Sequence, residues 1–207
     1  MCFSAETSSA TFLIGSIASF LIWLRGGQTD RIFAVIMGYI VLMQGVEFLL
    51  WRHQECDEWH RTVSLAGSWL NLSQPVVAGL LILLLARAPS PWIWVVMASY
   101  IAIIVPYMSQ YRESLRCTAP RPGNPHLVWG WTNMSGNLLM WAAYLATFIG
   151  IMYLGMPRET ANMFTVVALV SLGLTTWLYP RESVGSVWCV VAALAPVGYL
   201  IQNSLLP

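Results

Sequence analysis

The stretch Met43-Gln44-Gly45-Val46-Glu47-Phe48-Leu49-Leu50-Trp51 ends an apolar run, Ile32 to Trp51. About 20 such residues are long enough to cross a bilayer as one helix. Glu47 stands well inside that run, and no other apolar run holds a comparable charge. An unpaired ionised carboxylate at that depth costs at least about 2–3 kcal/mol, so Glu47 is expected to face protein or water rather than lipid. Gln44, one turn deeper, shares its helix face.

The rest of the chain has the same character. Its 207 residues are 57% hydrophobic and 9% charged, with mean hydropathy +0.65, whereas soluble domains are roughly one-quarter charged. Apolar segments recur at about 8–24, 32–51, 62–86, 92–110, 126–154, 161–179 and 184–206. The expected fold is all-α: one polytopic membrane domain, 1–207, with seven transmembrane helices. Pro106 is expected to kink the fourth span and Pro196 to interrupt the seventh. No cleavable leader is expected, because the first run lacks a basic n-region.

Charge and residue usage exclude several classes. A net charge of +1 provides no basic face for nucleic acid. All ten basic residues are arginine. Without lysine, neither a retinal Schiff base nor lysine-linked pyridoxal phosphate is possible.

An odd number of spans puts the two termini on opposite sides. The N-terminal side, called side A, then holds the 2–3, 4–5 and 6–7 loops. It carries Arg52, Arg61, Arg112, Arg116, Arg121 and Arg181, against Arg25, Arg31, Arg87 and Arg158 on side B. That asymmetry places side A, and the N-terminus, in the cytoplasm.

Polar residues gather towards side A. At about 1.5 Å per residue, Glu47 lies roughly 7 Å from the side-A end of its span, and Asn71 and Gln74 roughly 14 and 18 Å deep. Asn133 and Asn137 form an i, i+4 pair in the expected fifth span, and Ser8, Thr11 and Cys189 add polar groups from the first and seventh. The expectation is a polar cavity opening to side A and lined by Glu47, Gln44, Asn71, Gln74, Asn133 and Asn137. Any single amide there also has a plain reading as a helix–helix hydrogen bond.

Cysteines and histidines form a second group. Cys2, Cys56, Cys117, His53, His60 and His126 all fall on side A. His53-x-x-Cys56-x-x-x-His60 has i, i+3, i+7 spacing, which would align metal ligands on a continued helix. In an oxidising compartment Cys56 and Cys117 would instead form a disulfide, in conflict with a cytoplasmic side A. Most of the eleven tryptophans sit near span ends, as interfacial belts do; a ligand cage from Trp69, Trp141 or Trp188 is the other reading. Gly67, Ala78-Gly79 and Gly136 read as close-packing positions.

Two internal echoes suggest a repeat. Leu21–Phe33 matches Ile151–Phe164 in pattern, and Gly67-Ser68-Trp69 matches Gly185-Ser186-Val187-Trp188. A layout of three, one and three helices is similar to that of PQ-loop and sugar-exporter carriers, although Gln74-Pro75 reverses their characteristic pair. That similarity implies a site between the two units near mid-membrane. Separately, Met1-Cys2-Phe3-Ser4-Ala5, followed by Ser8, resembles the start of an uncharacterised family of multi-pass membrane proteins from microbes and large DNA viruses. The pattern Gln44-x-x-Glu47-x-x-x-Trp51 is similar to that family's second helix. The resemblance implies a fold, not a mechanism.

The leading functional expectation is a small-solute or ion transporter or channel, without a cofactor, in which Glu47 binds a proton or cation and Cys2 folds back over the cavity. Its partners are the lipid bilayer and a small solute, ion or proton, with a homo-oligomer compatible. The alternatives are a membrane-embedded enzyme using Cys2, His53, Cys56 or His60 as a metal or thiol centre, and a structural membrane protein or receptor anchored by Glu47.

Overall fold

The structure, a computed structural model, describes residues 4–113 and 116–205. Helix α1 spans Ala5–Leu24, α2 Gln28–Arg52, α3 Glu58–Leu85 and α4 Trp92–Ser109. A two-stranded antiparallel hairpin follows, β1 Ala119–Arg121 and β2 Asn124–Val128, then a 3-10 turn at Gly130–Asn133. Helices α5 (Asn137–Gly155), α6 (Arg158–Leu178), α7 (Val184–Ala193) and α8 (Ala195–Leu205) complete the order. Among the described residues, seven segments are long and apolar enough to cross a membrane, the last being Arg181–Asn203 with its break before Pro196.

The helix ends follow from local chemistry. Ser4 caps α1, its hydroxyl accepting from the Thr7 amide. Gly26, at φ +82°, stops the same helix, in the left-handed conformation that costs glycine least. Asp57 caps α3 by accepting from the His60 amide at 2.8 Å. In the hairpin, Pro122 and Gly123 occupy the two centre positions between Arg121 and Asn124, and φ +77° at Gly123 suits a Pro-Gly turn.

Helix α2 lies at the centre, packed against α1, α3 and α7. It buries Ile32, Phe33, Ile36, Met37, Ile40, Met43 and Leu50. The outer surface is apolar instead: Leu13, Ile17, Phe20, Leu24, Trp94, Leu138 and Trp177 are all exposed. A surface of that kind would aggregate in water, and it matches a face in contact with lipid. Close helix crossings rest on glycine. A Cβ at Gly15 would stand 2.5 Å from the Ala193 carbonyl oxygen and 2.7 Å from Val41 Cγ2, whereas one at Gly38 would meet open space. Gly15→Ala is therefore expected to cost about 1–3 kcal/mol. Gly38→Ala should be neutral or slightly stabilising. Thermal unfolding of the purified variants in detergent checks the contrast.

Three expectations need correction. The fifth helix begins at Asn137, not near His126, because residues 119–133 form the hairpin and 3-10 turn. Asn133 and Asn137 therefore do not share a helix face: Asn133 is exposed, and Asn137 Nδ2 donates to the Thr132 carbonyl at 2.7 Å. Gly136 is likewise no packing glycine. It stands at φ +82° with nothing near its would-be Cβ, and it starts α5.

Candidate functional site

The hairpin and the segment after it enter the side-A end of the helix bundle as a plug. Leu127, Val128, Trp129 and Trp131 are buried, the two tryptophans at 1% exposure. Tethers hold this plug and the chain just before it to the 2–3 loop, to α3 and to the 6–7 turn. Cys56 and Cys117 form a disulfide with their Cα atoms 5.7 Å apart. The Thr118 amide donates to Ser64 Oγ, and Ser183 Oγ donates to Asn124 Oδ1. Arg61 pairs with Glu113 at 3.0 Å and Arg121 with Glu182 at 3.3 Å, both in exposed positions. His126 stands edge-on to Tyr179, and burial holds its imidazole below the ordinary histidine range.

Glu47 lies under the plug, fully buried. Gln44 Nε2 donates to Glu47 Oε2 at 3.0 Å, and Thr11 Oγ1 donates to Gln44 Oε1 at 2.8 Å. The first and second helices are thus joined by a short polar chain that ends on the carboxyl group. Ser186 of α7 and the Trp129 indole also face Glu47. Strict geometry leaves Glu47 Oε1, Ser186 Oγ and Trp129 Nε1 without partners among the described residues. Among the described residues no arginine pairs with Glu47. Trp129 is seated by Gly67, where a Cβ would come within 2.6 Å of Trp129 Cη2.

The other expected site residues separate from this cluster. Asn71 and Gln74 are buried, but they line a different cavity, of about 50 Å³, between α2, α3, α5, α6 and α7. Cys189, which also lines this cavity, donates to Asn71 Oδ1 at 3.8 Å. Asn133 borders an open surface depression with Ser109, Gln110 and Arg112. Cys2 lies outside the described residues. Among the described residues, the amides expected to line one side-A cavity thus divide between the buried Glu47 cluster, a second chamber and the surface.

The metal reading loses its premise. Helix α2 ends at Arg52 with His53 as its cap, so the i, i+3, i+7 alignment of His53, Cys56 and His60 does not exist. Cys56 is committed to the disulfide. His53 Nε2 pairs with Asp57 at 2.8 Å, and the buried His60 ring bonds the His53 carbonyl through Nδ1. These residues build the corner between α2 and α3. Among the described residues no cluster of three His, Cys, Asp or Glu is placed to hold a metal ion.

That corner has a pH dependence. The His60 amide, followed by the His53 side chain, holds the Asp57 carboxyl below the usual carboxylate range. A depressed folded-state value means a contribution present above the ordinary value, about 4, and lost as pH falls through the depressed one. Acidification across that window is expected to lower the hydrogen-exchange protection factor of the His60 amide, the intrinsic rate at the same pH divided by the observed one. In Asp57→Asn that protection factor should not change over the same pH range.

Ser186 and Trp129 were not among the expected site residues. Ser186 sits in the Gly-Ser echo of Gly67-Ser68, which was a usable signal. Trp129 read as part of an interfacial belt, and sequence offers no means of telling a plug tryptophan from a belt one. The chain matches no family model, no curated protein and no solved structure. The resemblance carried by Met1–Ala5 and the second helix thus rests on those residues alone.

Proposed function

We propose that the chain is a multi-pass membrane transporter for an ion or small solute, with Glu47 as its proton- or cation-binding group. The observation that carries this reading is a fully buried carboxyl group with one oxygen unpartnered among the described residues and no basic neighbour. Polar atoms from α1, α2, α7 and the plug surround it. A buried carboxylate needs a compensating charge or a proton. Among the described residues the protein supplies hydroxyl, amide and indole groups but no cation, so in this reading the compensating proton or cation is what is carried.

Access in this reading is from side A, by movement of the plug away from Glu47. The three-plus-one-plus-three layout belongs to the same proposal: α2 packs on α1 and α3, while α6 packs on α5 and α7. Side A is extracytoplasmic in this proposal. A structural disulfide persists in oxidising compartments, and that argument outweighs an arginine asymmetry of six to four. Labelling of Arg181→Cys by an impermeant maleimide on intact cells supports that orientation; protection until permeabilisation reverses it.

The test of function is flux in proteoliposomes. Wild-type protein is expected to move protons or monovalent cations down an imposed gradient, and Glu47→Gln to lose that movement while folding normally. Equal flux in wild type and Glu47→Gln would overturn the assignment.

A further inference from the structure

The chamber between α2, α3, α5, α6 and α7 takes no part in the Glu47 reading and has a chemistry of its own. Its wall is aromatic and aliphatic: the Tyr144 and Trp188 rings lie 6.1 Å apart, and those of Phe148 and Phe164 4.8 Å apart. Its polar groups are few. Trp188 Nε1 donates to Ser171 Oγ at 2.8 Å, and Tyr144 Oη donates to Gln74 Oε1 at 2.5 Å. Gln74 is 4% exposed, and its Nε2 has no partner among the described residues. A buried amide donor left unpaired is costly, so the site is built for an acceptor.

The shape indicates where that acceptor comes from. The lining runs between α5 and α6 through Leu145, Ile149 and Met163 to Val167, which is 36% exposed on the apolar outer face. All four are apolar, so the approach is from hydrocarbon and not from water. The volume of about 50 Å³ exceeds the roughly 10–15 Å³ that one water needs and is well below the roughly 300 Å³ of a pocket that encloses a whole ligand, so it takes only the oxygen-bearing end of a molecule.

We propose that this chamber binds an uncharged, lipid-phase hydrophobe bearing one carbonyl or hydroxyl oxygen. The oxygen-bearing end enters among Tyr144, Phe148 and Trp188 and accepts from Gln74 Nε2, and the rest of the apolar body lies between α5 and α6 along Leu145, Ile149, Met163 and Val167.

The experiment uses full-length protein in phosphatidylcholine nanodiscs and a long-chain alcohol carrying a diazirine beside its hydroxyl end. After irradiation, mass spectrometry is expected to place the label on chamber residues such as Tyr144 or Met163. An unlabelled alcohol of equal length should displace it, and the corresponding alkane should not. Gln74→Leu should weaken displacement about tenfold, the loss of one buried hydrogen bond. Ala168→Phe, which fills the chamber, should abolish labelling there; if that variant does not fold, the Gln74→Leu and alkane arms decide. Label spread over the lipid-facing surface would show contact with bulk lipid only and overturn the proposal. So would equal displacement by alkane and alcohol, or no effect of Gln74→Leu.

Discussion

Glu47→Ala is expected to unfold at a temperature well below both wild type and Glu47→Gln. The carboxyl group is fully buried and accepts from Gln44 Nε2. Alanine removes that acceptor, strands the amide donor and leaves a hole among packed helices. Together these cost about 2–5 kcal/mol. Glutamine fills nearly the same volume, and its carbonyl oxygen still accepts from Gln44. It also relieves the burial of an ionisable group that has no basic neighbour. Glu47→Gln should therefore melt at or above the wild-type temperature.

The contrast between the two variants separates anchor from function. An anchoring role predicts that shape and hydrogen bonding suffice, so that glutamine replaces glutamate in every assay. A role in carrying charge predicts that glutamine preserves stability and abolishes flux. Melting curves in detergent, read beside proteoliposome flux on the same preparations, tell the two apart. Glu47→Gln that keeps both wild-type stability and wild-type flux would favour the anchor and remove the transport argument.

Sequence and structure agree where one physical rule acts alone, and part where two rules meet. Seven apolar segments were legible because spanning hydrocarbon demands length and apolarity together. Glu47, Gln44 and Thr11 were legible because polar groups in apolar helices must find one another, and here they do. The plug was not. His126–Trp131 is apolar because it is buried, and burial makes a loop look like a span. Pro122, Gly123 and Pro125 were the contrary signal, marking a turn ahead of an extended strand. The metal triad failed for a related reason: i, i+3, i+7 spacing has meaning only on a helix, and α2 stops at Arg52. Asn71 and Gln74 were correctly placed inside the bundle. Their separation from Glu47 depends on how α3 and α7 are rotated, which the depth of a residue along its own helix does not report.

Breaking the Cys56–Cys117 disulfide is expected to have the second large effect, on both stability and access to Glu47. The bond closes a separation of 61 residues, containing α3 and α4. A chain-entropy model gives about 4 kcal/mol for a loop of that length. Helices α3 and α4 remain helical in a membrane even when the bundle loosens, so the reference state is already restricted and about 2 kcal/mol is the nearer figure. The remaining tethers on the plug are weak. The exposed pairs Arg61–Glu113 and Arg121–Glu182 are worth about 0–1 kcal/mol each. Without the disulfide the plug is held mainly by the burial of Trp129 and Trp131, and its opening becomes more frequent. The Cys56→Ser, Cys117→Ser double variant should therefore melt lower and react faster with a hydrophobic carbodiimide at Glu47. Reductant should produce both changes in wild type and neither in the double variant. Unchanged Glu47 reactivity despite a lower melting temperature would mean that the disulfide steadies the loops without governing the plug. Access to the carboxyl group would then have to come through the helices themselves.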